Sequence, residues 1–251
     1  MPDVAAVVVA AGRGERLGAG GNKAFVRLAG HPLLAYTLAG LEAIPEVRYV
    51  AVAVGPGEEE LCRELIRAYL FKKVAVVVTG GASRQESVAR ALRAVDSRYS
   101  MVAVHDGARP FPSPALLRAL TEAAEPQGAA VPAVPPRDTI KRVNRQEDRV
   151  IETLPREELV AVQTPQVFSR SLLEVAHARA AAEGFLGTDD AVLVERLGHP
   201  VRLVPGDYHN LKITTPEDLA LAEFYLARGL VENPLVARQP GSAVRRKQCR
   251  G

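Results

Sequence analysis

The sequence predicts an α/β protein with a Rossmann-like, mostly parallel twisted sheet, helices on both faces and a protruding β-hairpin arm. Two observations support this fold class. Short, almost wholly apolar runs alternate with amphipathic stretches at helical spacing, which is typical of parallel strands covered on both faces. One polar segment, residues 136–157, interrupts this alternation and is typical of a hairpin.

The alternation begins at residue 4. Apolar runs predict strands over residues 4–10, 49–54, 74–78 and 101–104 and, after the interruption, over 201–204 and 211–213. Amphipathic spacing predicts helices over residues 32–41, 58–70, 85–95, 171–183 and 189–197. A last helix is expected from Thr215, a favourable N-cap before Pro216, to about Gly229. Because ligands of such sheets bind at the carboxyl ends of strands, the loops after the first, third and fourth strands are candidate binding loops.

The predicted arm consists of residues 136–143 and 150–154 on either side of a polar turn at 144–149. It has little apolar surface of its own. Because an isolated two-stranded hairpin is marginal in water, we expect the arm to lean on another surface, and a partner subunit is a natural candidate.

The composition is that of an ordinary globular protein. The chain has 251 residues, of which 47% are apolar and 24% charged. No apolar run reaches the length of a membrane span, and the apolar start lacks the basic flank of a signal peptide, so no membrane association is expected. The two cysteines, Cys62 and Cys249, match no metal or redox spacing, which favours a reducing, cytoplasmic setting.

The positive charge is concentrated at the end of the chain. Residues 234–251 hold five basic side chains and no acidic one, so the formal net charge of +3 leaves the remainder at −2. This predicts one domain over residues 1–233 and a basic, flexible tail over 234–251. A tail that contacts a polyanion is one alternative to a plain solvated extension, but the main body gives no indication of nucleic-acid binding.

The loop after the first strand predicts an anion site. Residues 11–17 contain Gly12, Gly14 and Arg16, and Lys23 follows six positions later. Small residues let backbone N–H groups approach phosphates, and the cations add full charge. The loop matches neither the P-loop, because Lys23 lies between Asn22 and Ala24, nor the dinucleotide fingerprint, because Leu17 replaces the third glycine. On glycine spacing alone, a plain tight turn explains it equally well.

Three further segments carry candidate site residues. Asp106 ends a buried strand, where a carboxylate can hold Mg²⁺ against phosphates, and Arg109 is near enough to clamp a phosphate; His105 is interpreted as structural. Gly81 allows close approach to a ligand, while Ser87 either bonds the ligand or caps a helix. Lys212 lies in a short segment of alternating polarity, where a lysine facing solvent is the plain alternative.

Together these segments resemble one family, the 2-C-methyl-D-erythritol 4-phosphate cytidylyltransferases of the non-mevalonate isoprenoid pathway. The matching stretches occur in the family's order and extend from residue 4 to about 228. They are residues 10–17, 22–25, 80–81 with Arg84 and 87–88, 105–110, 136–141, 163–168, 210–214 and 216–219. Each stretch is weakly informative alone, whereas the ordered set is specific.

The resemblance implies a nucleotidyltransferase that uses CTP and a divalent cation, Mg²⁺. The phosphate of methylerythritol phosphate attacks the α-phosphorus of CTP and expels pyrophosphate, so fixed cations matter more than a nucleophile. By family likeness, Arg16 and Lys23 stabilise the charge on the α-phosphate and Lys212 positions the attacking phosphate. Asp106 serves the Mg²⁺ site and the methylerythritol end.

The same resemblance assigns the remaining contacts. The nucleotide is expected to meet Ala10, Ala11, Gly12, Gly14, Arg16, Lys23, Gly81 and Ser87. The alcohol-phosphate pocket is expected to contain Asp106, Arg109, Thr139, Thr164, Lys212 and, reaching across a homodimer from the partner's arm, Arg156. The nearest alternative is a ribitol 5-phosphate cytidylyltransferase or another sugar- or alditol-phosphate nucleotidyltransferase; a non-catalytic nucleotide-binding regulator is a more distant one.

Overall fold

A computed structural model describes residues 2–12 and 22–236 of the chain. Its central sheet has eight strands and confirms the predicted fold class. The strands are β1 (Val4–Ala10), β4 (Val47–Val54), β5 (Val74–Thr79), β6 (Met101–Asp106), β7 (Ala129–Val134), β10 (Ala161–Val162), β11 (Gln166–Ser169) and β12 (Arg202–Pro205). Two short pairs stand apart from it: β2 (Arg27–Leu28) with β3 (His31–Pro32), and β8 (Lys141–Asn144) with β9 (Arg149–Thr153).

Helices cover both faces of the sheet. They are α1 (Leu33–Ala43), α2 (Glu59–Ala68), α3 (Arg84–Arg93), α4 (Pro114–Ala124), α5 (Arg170–Ala182), α6 (Ala191–Glu195) and α7 (Pro216–Ala227). Alternate residues of β1 point into two separate cores, with Val4 and Val8 on one side and Ala5 and Val7 on the other. The first core is closed by α1, α2, α4 and α7, and the second by α3, α5 and α6.

The strand order reverses beside β1. Along the sheet the order is β5, β4, β1, β6, β11 and β7, and the pairs β1–β4, β4–β5 and β1–β6 are parallel. The chain therefore runs outward from β1 through β4 and β5 and then returns to the other side of β1 as β6. The crevice between β1 and β6 is the topological switch point, where open α/β sheets bind their ligands.

The far half of the sheet departs from the sequence prediction. The strands β10 and β11 run antiparallel to β7, whereas β12 runs parallel to it. The sequence patterns predict none of α4, β7, β10 and β11. Residues 211–213, predicted as a strand, form an irregular segment instead, because their loop is held by bonds such as Ile213 N–H to the Ala108 carbonyl rather than by a ladder.

The hairpin arm and the last helix are present as predicted, but the first strand of the arm begins at Lys141 instead of residue 136. Within the described residues, β8 and β9 pair only with each other, with Val143 opposite Val150 and Arg142 opposite Glu152. The helix α7 begins with a capping box, in which Thr215 accepts from the Asp218 N–H and the Asp218 carboxylate accepts in return. Leu235 is buried in the first core, so packed structure continues past residue 233, and residues 237–251 lie outside the described part of the chain.

Candidate functional site

The site lies at the switch point between β1 and β6, where close backbone contacts bring the candidate loops together. The Gly107 N–H donates to the Val9 carbonyl, and a Cβ on Gly107 would come within 3.1 Å of the Ala10 Cβ. A Cβ on Gly80, after β5, would come within 2.5 Å of the Ala11 Cβ. A side chain at Gly80 would therefore force the two loops apart, whereas one at Gly107 would require a shift of a few tenths of an ångström.

Asp106, at the end of β6, is surrounded by three basic side chains. The Lys212 Nζ lies 2.7 Å from its Oδ2, and the Arg84 Nε donates to its Oδ1 at 3.2 Å. The Arg109 Nε lies 3.8 Å from Oδ2, beyond hydrogen-bond distance. Three predicted site residues, Asp106, Arg109 and Lys212, are therefore adjacent, and Arg84 joins them.

The cluster carries an excess of positive charge. Burial alone would raise the pKa of Asp106, but Arg84, Lys212 and Arg109 hold it well below its usual range. The carboxylate is therefore ionised at neutral pH. Among the described residues, the Arg84 Nη2 and the Arg109 Nε are buried nitrogens without a hydrogen-bond partner. Each is a donor that an anionic ligand can satisfy.

Thr164 and His105 hold this carboxylate in place. The Thr164 Oγ1 accepts from the Asp106 N–H at 3.0 Å and lies 3.1 Å from the His105 Nδ1, while the His105 Nε2 lies 3.1 Å from the Arg109 carbonyl. A carbonyl only accepts, so Nε2 carries the proton and the threonine hydroxyl donates to Nδ1. Burial lowers the pKa of His105 to about 4, which keeps the ring neutral. This agrees with its interpretation as a structural residue.

Lys212 reaches Asp106 from an irregular loop that side chains fix in place. The Arg109 Nη1 donates to the Asn210 carbonyl at 2.6 Å, and the Asn210 Nδ2 donates to the Thr164 carbonyl at 2.8 Å. The lysine side chain remains 38% exposed although its ammonium is paired. An ammonium held by a carboxylate at the surface of a crevice can contact a phosphate that enters from solvent.

The side of the crevice that is predicted to bind the nucleotide is formed by the end of β1 and by a 3-10 turn, Lys23–Phe25. A Cβ on Gly12 would lie 3.7 Å from the Lys23 Cε, so the lysine side chain passes directly beside that glycine. The Asn22 amide donates to the Ala10 carbonyl and to the Glu58 Oε2, each at 2.5 Å, and fixes the turn against β1. Gly14 and Arg16, predicted for this site, lie outside the described residues.

The loop after β5 is closed by Ser87. Its hydroxyl accepts from the Gly81 N–H at 3.0 Å and donates to the Ser83 carbonyl at 2.9 Å. The helix N-cap is Ser83, which accepts from the Glu86 N–H. Ser87 therefore shapes the glycine loop, and Ser83 performs the capping that the sequence left open for Ser87.

Thr139 and Arg156 lie on the arm side and are exposed. Arg156 begins a 3-10 turn, Arg156–Glu158, and donates to the Arg137 carbonyl at 3.3 Å. Within the described residues, no hydrogen bond or ion pair joins either side chain to the Asp106 cluster of the same subunit. Their predicted contacts with substrate therefore stay predictions.

The sequence reasoning missed two residues of the cluster. The sequence indicated Arg84 only as part of a stretch that resembles the family, with no role of its own. It did not indicate Asp190, whose carboxylate accepts from the Arg84 Nη1 at 2.6 Å. Their separation of 106 positions hides the pairing, since it depends on how α3 packs against the loop before α6. An acidic pair before a short apolar helix was the available signal.

The described residues do not form a protein-held metal centre. No group of three histidine, cysteine, aspartate or glutamate side chains comes together in residues 2–12 and 22–236. Both oxygens of Asp106 are paired with cationic side chains. A carboxylate whose oxygens bind a guanidinium and an ammonium does not fit as a metal ligand, so its predicted metal role gains no support from this geometry.

Three further features lie outside the Asp106 cluster. Cys62 is buried and unpaired, and burial raises the pKa of its thiol to about 12. In residues 2–12 and 22–236, no helix has the length and apolarity that a membrane span requires. A cavity of about 590 Å³ between α3 and α5 contains none of the predicted site residues.

Comparison with known proteins gives one consistent result. The family model of 2-C-methyl-D-erythritol 4-phosphate cytidylyltransferase matches residues 4–228. The protein of that name from Desulforamulus reducens is 46% identical over 229 residues, which are 91% of this chain and 97% of the relative. The one from Geotalea uraniireducens is 49% identical over 226 residues, which are 89% and 96%.

Solved structures agree with the sequence relatives. The crystal structure of 2-C-methyl-D-erythritol 4-phosphate cytidylyltransferase from Thermus thermophilus superposes with a TM-score of 0.73 at 41% identity, covering 88% of this chain and 98% of the other. That of 4-diphosphocytidyl-2C-methyl-D-erythritol synthase from Anaerococcus prevotii gives a TM-score of 0.78 at 28% identity, covering 90% and 99%.

Proposed function

The chain belongs to the 2-C-methyl-D-erythritol 4-phosphate cytidylyltransferase family, and we propose that it transfers CMP from CTP to methylerythritol phosphate. The products are 4-diphosphocytidyl-2-C-methyl-D-erythritol and pyrophosphate. The observation that carries the proposal is the cluster of Arg84, Arg109 and Lys212 around Asp106 at the switch point of the sheet. It supplies positive charge where two polyanions must meet.

The reaction is a displacement at phosphorus. A phosphate oxygen of methylerythritol phosphate forms a bond to the α-phosphorus of CTP. The bond from that phosphorus to the α–β bridging oxygen breaks, and both of its electrons leave with pyrophosphate. Since the nucleophile is already an anion, the protein needs neither a covalent intermediate nor a general base, and it contributes position and electrostatic stabilisation.

Lys212 and Arg109 bind the attacking phosphate in this proposal. The Lys212 ammonium is positioned by Asp106 and partly exposed, and the Arg109 Nε holds a buried proton without an acceptor. A phosphate that enters the crevice accepts from both. The Asp106 Oδ2 lies close to both cations and offsets their mutual repulsion, and Thr164 holds Asp106 through its backbone N–H. The nucleophilic oxygen is thereby held for in-line attack.

The nucleotide occupies the other half of the crevice. Backbone groups of Ala10, Ala11 and Gly12 follow β1, and Gly81 with Ser87 forms the facing loop. Lys23, beside Gly12, and Arg16 stabilise the charge that builds on the α-phosphate oxygens. The proposed contacts of Gly14 follow from the family resemblance.

We propose that a divalent cation, Mg²⁺, binds together with the triphosphate of CTP. When bound, it neutralises phosphate charge and orients the leaving group. Because the oxygens of Asp106 are paired with Arg84 and Lys212, we expect the phosphates and water to supply its ligands. The Mg²⁺ concentration for half-maximal rate should therefore change less than roughly twofold in Asp106→Asn while the turnover itself falls. A large increase in that concentration would instead restore Asp106 as a ligand.

We propose that the active form is a homodimer joined through the arm. The arm pairs only with itself within the described chain, and it exposes apolar side chains, of which Val150 is 54% and Ile151 58% exposed. A partner subunit covers these side chains and brings Thr139 and Arg156 of one chain to the acceptor pocket of the other. A cytoplasmic location remains the prediction from cysteine usage.

Turnover with two acceptors tests the proposed substrate. Purified protein is assayed for pyrophosphate release from CTP with methylerythritol phosphate and, separately, with ribitol 5-phosphate. We expect kcat/KM for methylerythritol phosphate to exceed that for ribitol phosphate by at least roughly 100-fold, the discrimination that a polar pocket supplies. Turnover with ribitol phosphate alone would assign the chain to the alternative substrate.

Lys23→Ala tests the catalytic role against simple nucleotide binding. Loss of one cation that acts on the transition state should lower kcat by about 100- to 1,000-fold. Lys72→Ala, at an exposed lysine in the loop between α2 and β5, is the matched control and should leave kcat unchanged. CTP binding without turnover in the wild-type protein would favour the regulator alternative.

A further inference from the structure

Arg84 joins the catalytic cluster to a second, deeper carboxylate. Its Nε donates to the Asp106 Oδ1 at 3.2 Å, and its Nη1 donates to the Asp190 Oδ2 at 2.6 Å. The guanidinium thus spans two anions instead of closing a two-pronged pair with one of them. The carboxylate of Asp190 is fully buried, and it is not among the proposed ligand contacts.

Asp190 does not cap the helix at whose start it lies. It stands at the N-cap of α6, yet its side chain forms no capping hydrogen bond. Its oxygens instead bind Arg84 and the His177 Nε2, the latter at 3.0 Å. The neighbouring Asp189 holds the start of the helix, because its Oδ1 accepts from the Val192 N–H. A charge with 0% exposure that caps nothing requires another explanation.

Buried ion pairs are costly to form and are often replaceable by apolar residues without loss of stability. Here the two partners of Asp190, His177 and Arg84, hold its pKa below the usual range although burial alone would raise it. Its negative charge is therefore permanent at neutral pH. Because the Arg84 guanidinium lies between Asp190 and Asp106, the charge of Asp190 determines the position of that guanidinium.

We propose that Asp190 and His177 are positioning residues that act on catalysis through Arg84. Asp190 anchors the Nη1 side of Arg84, and His177 fixes Asp190 on α5. Arg84 is thereby limited to one oxygen of Asp106, and Oδ2 remains for Lys212. The division of the two oxygens sets where the Lys212 ammonium meets the acceptor phosphate. This inference rests on the proposed function.

The consequence of losing the anchor follows from guanidinium geometry. Arg84 without Asp190 can turn both of its prongs onto Asp106, since arginine pairs with a carboxylate most favourably in a bidentate manner. Lys212 then loses its partner and its position. The acceptor phosphate should bind more weakly or at the wrong angle. The nucleotide side should be unaffected, because the Ser83 and Ser87 hydroxyls, rather than the Arg84 side chain, hold the loop between Gly81 and Ser87.

Asp190→Asn is the direct test, with Asp189→Asn as the matched control. In Asp190→Asn we expect kcat/KM for the acceptor to fall by roughly 10- to 100-fold, the loss that a misplacement of about 1 Å causes. KM for CTP should change less than roughly twofold. Asp189→Asn removes the neighbouring carboxylate, which binds Gln166 and Val192 instead of Arg84, and should leave acceptor kinetics unchanged.

A double-mutant cycle separates positioning from a general loss of structure. Arg84→Lys by itself should lower acceptor kcat/KM, and in that background Asp190→Asn should add less than roughly threefold, because both changes break the same link. A merely structural role would instead raise KM for CTP and for the acceptor together.

Two substitutions at His177 keep the proposal testable if Asp190→Asn does not fold. His177→Leu removes the donor to Asp190, whereas His177→Gln retains an amide N–H that can replace it. We expect an acceptor-specific defect in His177→Leu and its rescue in His177→Gln. Equal kinetics in the two variants would overturn the relay, as would wild-type acceptor kinetics in a folded Asp190→Asn protein. If the wild-type chain itself fails to use the acceptor, the proposed function fails before this inference is reached.

Discussion

At the residue scale, the site depends on one carboxylate whose surroundings are fully determined. Asp106 is held by Thr164 through its backbone, and His105 completes the chain to the Arg109 carbonyl. Each hydrogen bond in this series has one donor-to-acceptor direction that satisfies every partner. The neutral ring of His105 is part of that arrangement, because a second proton on Nδ1 would face the threonine hydrogen.

The pKa of His105 gives a prediction for stability against pH. Its folded value of about 4 lies below the unfolded value near 6.5, so the unfolded chain takes up the proton first as the pH falls. Stability from this group is complete above about pH 6.5 and is lost between about pH 6.5 and pH 4. From about pH 7 to pH 5 we expect about 2 kcal/mol of the free energy of unfolding to disappear.

Urea titrations at both pH values measure this loss. His105→Gln removes the titrating group, so its free energy of unfolding should differ less between the two pH values. His199→Gln, a surface control whose ring contacts the Pro200 carbonyl, should keep the wild-type difference. An equal pH dependence in wild type and His105→Gln would show that the ring is not held neutral.

Several of these residues could be predicted from the sequence and others could not. Asp106 and Arg109 follow a buried apolar strand, so their place at its carboxyl end is a local inference. Lys212 is predicted for the site on family resemblance, although its segment is not the expected strand. Arg84 and Asp190 form a pair across distant parts of the chain, and no local pattern encodes which partner a buried arginine selects.

At the element scale, α7 fixes the far end of the loop that carries Lys212. The Asp218 Oδ2 accepts from the Thr214 and Thr215 N–H groups at 2.8 and 2.9 Å. The capping box therefore both starts the helix and ends the irregular segment. Its sequence signal, threonine and proline before two acids, was sufficient to predict it.

Asp218→Ala should lower the free energy of unfolding by about 1–2 kcal/mol, because the N–H groups of Thr214 and Thr215 lose their acceptor. Because the Lys212 loop ends at this cap, KM for the acceptor should rise as well. Glu217→Ala removes the same charge from the same turn and leaves the bonds of Asp218 in place. Thermal and urea unfolding of the two variants should differ; equal losses would reduce the effect to helix-dipole electrostatics.

Sequence patterns predicted some of the other strands and helices but not all of them. Continuous apolar runs predicted β1, β4 and β6, which are buried on both faces, and also β5, an edge strand that is only partly buried. The strand β7 carries Pro132, and the three residues between β10 and β11 interrupt their pairing with β7, so neither gives a regular period. The predicted helix over residues 189–197 shortens to Ala191–Glu195 because Asp189 and Asp190 face inward to other partners.

At the scale of the whole molecule, one chain contains most but not all of the proposed site. The switch point supplies the nucleotide half and the cation cluster, whereas Thr139 and Arg156 remain exposed on the arm side. The arm leaves Val143 and Val150 side by side without a cover from the described chain. In the proposed dimer, a second copy supplies the cover and the missing residues together.

Sedimentation velocity tests this assembly. The wild-type protein should sediment as a dimer, and the pair Val143→Lys with Val150→Lys should shift it to monomer and lower kcat, because two buried charges oppose association. Leu186→Lys, which places one lysine at an exposed leucine outside the arm, should remain dimeric. A fully active wild-type monomer would remove Arg156 from the acceptor pocket.

The proposed reaction depends on one new bond, between a phosphate oxygen of the acceptor and the α-phosphorus of CTP, and ³¹P NMR of the reaction observes that bond directly. With equimolar CTP, methylerythritol phosphate, Mg²⁺ and the wild-type protein, we expect the monoester signal to disappear while two mutually coupled diphosphate signals and free pyrophosphate grow in equal amounts. Growth of orthophosphate, or a persistent monoester signal while CTP is consumed, would contradict this chemistry.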